Sequence, residues 1–324
     1  MAHPASLTTP AAGASESDTQ VGWRVFVLLA VLLALAPIVA YPIFILKVLC
    51  FALFASSVNL LLGFGGLLSF GQAAYFGIAA YATAYFAKTF ELTPEIAILV
   101  GVAGSAALAA VFGLVAIRRQ GVFFAMITLA LAQMLYFVFL QSPFTGGEDG
   151  IQAVPRGHLF GLIDLRDTAA LYVFVATTFL LAILFLHRIV HSPFGQVIKA
   201  IRDNEPRAIS MGYDAQRFKY LLFILSGALA GLAGSMKTVV FQLATLSDVH
   251  WATSGTVVLM VLIGGMGTIL GPILGAVVVV AIENYLAHLG AWVTFVQGWI
   301  FIAAVLLFRR GAIGELASRL KVRL

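Results

Sequence analysis

Long apolar runs, separated by short polar or glycine- and proline-rich intervals, dominate the chain. They fall at 23–40, 43–62, 66–87, 96–117, 121–140, 169–187, 220–242, 252–265, 268–283 and 291–308. A helix rises 1.5 Å per residue, so about 20 such residues cross the roughly 30 Å hydrocarbon core of a bilayer. The pattern predicts an all-α polytopic membrane protein of about ten transmembrane helices. The run 252–265 would extend only about 21 Å, which calls for tilt, a break or shielding by protein.

Composition agrees with the pattern. Of 324 residues, 61% are apolar and 10% charged, which excludes a soluble globular domain, with its usual quarter of charged residues, and excludes disorder. Residues 1–22 are small, polar and of low complexity and read as a disordered leader. Arg24 followed by Val25–Ala36 resembles a secretory signal, but hydrophobicity continues past Pro37 and Pro42, so a retained first span is expected. The membrane domain then covers 23–310, and 311–324 form a basic cytoplasmic tail.

Charge sets the orientation. With the N-terminus inside and ten crossings, the cytoplasmic segments hold 14 of the 19 Lys and Arg residues. Joining 252–283 into one crossing would move Arg309, Arg310 and the tail outside. Ten spans with both termini cytoplasmic are therefore expected. The net charge of +5 is this asymmetry and requires no nucleic-acid partner.

The inner loop 188–219 carries the most specific local signals. Ser192-Pro193-Phe194-Gly195 starts a helix, with Ser192 as cap and Pro193 at the first helical position. Val197, Ile198 and Ile201 form an apolar stripe opposite Lys199, Arg202, Asp203 and Glu205. Pro206 is expected to end or kink that helix, a second turn follows through Ile209, and Gly212 supplies a positive φ at its end. Two uses remain open for such a hairpin: docking a cytoplasmic protein, or resting on anionic headgroups of membrane lipid. The acids Asp203, Glu205 and Asp214 among the cations favour a protein.

Glycine-rich breaks interrupt two pairs of runs, at Gly63–Gln72 and at Ile263–Pro272. Non-helical backbone at membrane depth survives only under protein or beside a water-lined cavity, and paired breaks of this kind point to a transport pathway. The residues expected at the path or its hinges are Asn59, Gly65, Gly66, Ser69, Gln72, Gly264, Gly265 and Thr268, with Gln133, Ser254 and Thr256 as further polar positions within spans. Ser and Thr also bond their own helix backbone. The stripes Gly267, Gly271, Gly275 and Gly227, Gly231 read as helix packing.

No ionisable residue lies at the midplane of a run; Lys47, Lys237 and Glu283 fall near the outer ends, so a coupling proton has no evident seat. The phosphate-loop look-alike Gly231–Thr238 has Met236 in place of the second glycine and sits in an apolar run. The single cysteine, Cys50, and the scattered histidines offer no metal or catalytic grouping, so no enzyme activity is expected.

Asn59-Leu-Leu-Leu-Gly-Phe-Gly-Gly-Leu-Leu-Ser-Phe-Gly-Gln-Ala73, Ser192-Pro-Phe-Gly195, Ala200-Ile-Arg-Asp-Asn-Glu205 with Met211-Gly-Tyr213, and Gly264-Gly-Met-Gly-Thr-Ile-Leu-Gly-Pro272 together resemble the LivM-type permease subunits of branched-chain amino acid ABC importers, over roughly residues 45–310. The resemblance implies a bacterial inner-membrane permease that pairs with a LivH-like second permease, two cytoplasmic ABC ATPases and a periplasmic or extracellular substrate-binding protein. ATP and magnesium would bind the ATPases, with no cofactor in this chain. It further implies that Ala200, Ile201, Arg202, Asp203, Glu205, Arg207 and Gly212 form the ATPase-contacting coupling stretch. The sequence departs from the family at Pro206, where a helix-continuing residue is usual. Urea, short amides or other amino acids are alternative cargoes for the same architecture, and a stand-alone secondary carrier is the alternative of another class.

Overall fold

The structure, a computed structural model, describes residues 27, 29–37, 41–159, 161, 163–286 and single positions between 290 and 302. The expected leader 1–22, most of the run 291–308 and the tail 311–324 lie outside the described residues. Two units are distinguished, 1–41 and 42–324. In the first, residues 29–37 are helical.

The second unit is helical almost throughout. Its elements are α1 (Pro42–Asn59), α2 (Gln72–Thr89), α3 (Pro94–Ala116), α4 (Val122–Gln141), the short strands β1 (His158–Leu159) and β2 (Ile163–Asp164), α5 (Thr168–His191), α6 (Pro193–Asp203), α7 (Glu205–Ser210), α8 (Ala215–Phe241), α9 (Trp251–Gly264) and α10 (Gly271–Tyr285). Among the described residues five helices are long and apolar enough to cross a membrane: α1 with the π-helical turn that continues it to Phe64, then α3, α4, α5 and α8. α9 and α10 are shorter, as the run lengths imply.

Helices α1 and α8 form the centre, with α2 and α3 packed on α8. Lipid offers no hydrophobic force between helices, so close approach and internal hydrogen bonds must hold them. Small residues supply both. Gly227 lies against Ala109 and Tyr75, Gly231 against Ser105 and Ala79, and Gly234 against the backbone of Phe76. Ser105 Oγ donates to the Gly227 carbonyl at 2.7 Å, Ser226 Oγ to the Ser57 carbonyl at 2.7 Å, and Thr83 Oγ1 to Ser235 Oγ at 2.8 Å. The Gly227–Gly231 stripe thus packs helices, as its spacing suggests. Gly271 and Gly275 do the same between α9 and α10, whereas Gly267 lies outside both helices with φ +77°.

Three departures from the sequence reading have a clear local cause. Helix α2 begins at Gln72 rather than 66, because residues 66–71 leave the helix: Gly66 has φ +69°, and the freed backbone is taken up by Leu67 N–H to the Leu61 carbonyl, Phe70 N–H to Thr128 Oγ1 and Gly71 N–H to Ser69 Oγ. Helix α8 begins at Ala215 rather than 220, since Asp214 accepts from Arg217 N–H and caps it. Pro206 neither ends nor kinks α6. Asn204 breaks the helix and caps α7 through Arg207 N–H, leaving Pro206 in the first turn, where its missing N–H costs nothing.

At the end of α8 away from α6 and α7, loop 142–167 is pinned down. Ile151 and Ala244 exchange backbone hydrogen bonds, Arg156 Nη2 donates to the Val240 carbonyl at 2.8 Å, and Lys88 Nζ to the Gln152 carbonyl at 2.8 Å. Beneath it Lys237 Nζ meets Asp248 Oδ2 at 2.7 Å, with both residues buried. Asp248 also receives Thr245 N–H and hydroxyl. Removing one member of such a pair leaves an unbalanced buried charge. Lys237→Met is expected to destabilise the fold by about 3 kcal/mol, and Lys237→Met with Asp248→Leu to recover part of that, read as thermal stability of the purified chain in detergent.

Candidate functional site

The two glycine breaks, far apart in sequence, meet in space. Asn59, at the end of α1, is 1% exposed. Its Nδ2 donates to the Thr268 carbonyl at 2.8 Å, and its Oδ1 accepts from Gly267 N–H at 2.9 Å. One amide side chain thereby satisfies both polar groups of a non-helical strand of backbone, which helix geometry leaves without partners here. Gly63 permits the approach: a methyl group at its Cα would overlap Asn59 Oδ1 and the Gly267 nitrogen. The second break then ends locally, with Thr268 Oγ1 donating to the Gly265 carbonyl at 3.0 Å and accepting from Gly271 N–H at 3.1 Å.

Glycine is required in both breaks. Gly265 (φ +117°), Gly267 (φ +77°) and Gly66 (φ +69°) occupy the left-handed region. Gly65 remains right-handed, and Gly264 is the last residue of α9, its Cα hard against the Gly271 carbonyl. On the α2 side, Ala73 N–H donates to Ser254 Oγ at 2.8 Å, tying the start of α2 to α9. Gln72 is fully buried and neither atom of its amide has a partner among the described residues. Ser69 is buried beside it in sequence and caps the loop; Gln133 and Thr256 are partly exposed on α4 and α9.

The hairpin α6–α7 reaches this site directly. Ser192 Oγ accepts from Gly195 N–H and Gly212 has φ +90°, both as the sequence implies. Ile198 and Ile201 are buried, and Ile201 packs with Ala208 and Ala215. The charged positions do not all point away, however. Arg202 turns onto the π-helical turn: its Nη1 donates to the Gly63 carbonyl at 2.6 Å, its side chain covers Gly66, and its Nη2 holds Asp203 at 3.1 Å. A π turn leaves carbonyls out of register with the helix ladder, and a guanidinium is a strong donor for one of them. Lys199 Nζ lies 5.7 Å from the Phe64 ring centre, and burial first, then the Arg202 charge, holds its ammonium below the ordinary lysine range.

Glu205 is drawn inward too, pairing with Lys219 Nζ at 2.7 Å and accepting from Gln120 Nε2 at 3.0 Å. Lys219 belongs to α8 and is 7% exposed. Ala200 is half-buried, while Asp203, Arg207 and Gly212 are exposed. So Arg202 and Glu205 link the hairpin to the helices behind it, and Asp203, Arg207, Ile209 and Met211 present its open side. Gly63, Gly267 and Lys219 are the residues that sequence reasoning did not assign to this site. Gly63 opens the break motif and was the available signal.

Asn59→Leu keeps the volume but strands the partly buried Thr268 carbonyl and Gly267 N–H. About 2–3 kcal/mol of stability should be lost, measured as a fall in detergent melting temperature, and Asn59→Asp should lose at least as much, because it sets a carboxylate oxygen against the Thr268 carbonyl in a site that is 1% exposed.

A family model described as "branched-chain amino acid transport system / permease component" matches residues 41–305. The high-affinity branched-chain amino acid transport system permease protein LivM of Salmonella typhimurium is 25% identical over 292 residues, covering 82% of this chain and 68% of that protein, and LivM of Escherichia coli gives the same values. The ribose import permease protein RbsC of Bacillus subtilis is 29% identical over 197 residues, 56% of this chain and 58% of that one. No solved structure matches the chain.

Proposed function

Because this chain belongs to the family of branched-chain amino acid transport permease components, a family of multi-pass membrane transport proteins and not enzymes, we propose that it forms one transmembrane half of an ATP-driven importer of leucine, isoleucine and valine. Its partners would be a LivH-like permease, two cytoplasmic ATPases that bind the ATP and magnesium, and an external binding protein that delivers substrate. A partial match to a LivH-type permease of Methanocaldococcus jannaschii, 25% identical over 133 residues, is in keeping with a paired permease. The chain would lie in a bacterial inner membrane with about ten spans and both termini cytoplasmic, as the distribution of Lys and Arg favours.

The observation that carries the mechanism is the hydrogen bond from Arg202 to the Gly63 carbonyl. It joins the hairpin, the element facing the ATPases, to the break of α1, and Asn59 joins that break to the one between α9 and α10. Closure of the ATPases would move α6 and α7 as a lever, and the two breaks would shift together because the Asn59 side chain, at the start of one, holds the backbone of the other. Gln72, whose buried amide at the start of α2 has no partner among the described residues, would be uncovered by that movement and offer the path both a donor and an acceptor. A path without fixed charges orients a zwitterion weakly, so selection would rest mainly with the binding protein.

The match to RbsC favours a second cargo, a sugar, on the same architecture. Both readings are separated by uptake into proteoliposomes holding the full five-component assembly, with labelled leucine, isoleucine, valine, ribose and urea supplied in turn. ATP-dependent accumulation of the branched amino acids is expected; accumulation of ribose or urea in their place overturns the substrate assignment. Orientation is read separately with Asp203→Cys, because Cys50 is buried: labelling from the ATPase side is expected, and labelling from outside rejects the topology.

A further inference from the structure

A second site lies away from the breaks, between α3 and α4. These two helices are joined by the tight turn 117–121, in which Gly121 has φ +60°. Between them opens a groove of about 490 Å³ lined by Leu114, Val115, Ile127, Arg118 and Arg119. Its walls are apolar and face outward, Leu114 being 57% and Val115 55% exposed, and Phe123 and Met126 continue the exposed surface along α4. The two guanidinium groups stand at its mouth. Neither has an ion pair or hydrogen bond among the described residues, and the acids that line the neighbouring groove with Arg118 are engaged elsewhere, Glu205 by Lys219 and Gln120 and Asp214 by Arg217.

An apolar trough along two spanning helices that ends under a pair of unneutralised cations matches one occupant in both parts, acyl chains below and an anionic headgroup above. We infer that this groove holds an anionic phospholipid, its phosphate on Arg118 and Arg119 and an acyl chain along Leu114, Val115 and Ile127. A protein segment would need acids at the headgroup level and apolar side chains at lipid depth, whereas a phospholipid brings both in one molecule. The inference requires only that α3 and α4 lie in the bilayer and does not depend on the cargo.

The test is native mass spectrometry of the full chain, alone and in its assembled complex, in detergent supplied with dioleoylphosphatidylglycerol or dioleoylphosphatidylcholine at equal concentration. Each cation near an anionic lipid contributes about fivefold in affinity. Arg118→Gln with Arg119→Gln should therefore lower the phosphatidylglycerol adduct by roughly twentyfold or more, with phosphatidylcholine scarcely retained by either protein. Leu114→Trp keeps both cations and fills the trough, and should displace the adduct as well. Millimolar inorganic phosphate should not compete; displacement by phosphate means a headgroup site without a lipid groove and overturns the inference. So do equal retention of the two lipids, an adduct that survives both variants, or loss of the adduct when the complex assembles, which would give the groove to a protein partner.

Discussion

Arg202→Gln should abolish most ATP-driven uptake, by at least tenfold, while the assembled complex still forms and its ATPases still turn over. The guanidinium is the donor to the Gly63 carbonyl, at 2.6 Å, and a glutamine on that backbone is too short to hold the π turn and Asp203 together. A charge-assisted bond is worth roughly twice a neutral one, and in the proposed mechanism hairpin movement would reach the break through this bond. Arg202→Lys retains the charge without the fork and should fall between. Charge reversal at Glu205 attacks the other link, to Lys219, and should also separate hydrolysis from uptake. Uptake and hydrolysis are measured on the same proteoliposomes, so that their ratio is the readout. A ratio unchanged in the Arg202 and Glu205 variants removes the lever from the account.

The second large effect concerns the fold. Gly264 and Gly275 sit where α9 and α10 touch through their backbones, Gly264 against the Gly271 carbonyl and Gly275 against the Met260 carbonyl. A side chain at either meets main chain, which cannot rotate away as a flexible side chain does. Gly275→Val should cost more than about 5 kcal/mol, enough that little folded protein is recovered, as followed by size-exclusion profile in mild detergent. Gly255 and Gly104 are the controls, since open space surrounds the position a Cβ would take; alanine at either should leave yield unchanged. Comparable loss from those substitutions would mean that glycine acts through helix conformation and not through packing.

Much of this architecture was legible because its causes are local. Run length gave the helices, Ser192 with Pro193 gave the start of α6, and the glycine clusters gave both breaks. What escaped depends on contacts between distant segments. The Asn59 amide reads as one polar residue in an apolar run, yet its partners lie more than two hundred residues away. Arg202 and Glu205 sit on the polar stripe of α6 and α7, which suggests solvent, but a carbonyl freed by the π turn and a buried ammonium turn them inward. Lys237 and Asp248 were readable as charges near a membrane surface, not as each other's partner. Pro206 misleads in a different way: proline stops a helix only when it falls inside one, and Asn204 had already begun another.

The most direct measurement compares two sets of proteoliposomes facing the same solute gradient, one holding this chain alone and one holding it with its second permease, both ATPases, ATP and the loaded binding protein. A conduit driven by a separate motor accumulates leucine uphill only in the second set, and only while ATP is hydrolysed. Uphill accumulation by the chain alone, driven by an ion gradient, would contradict it.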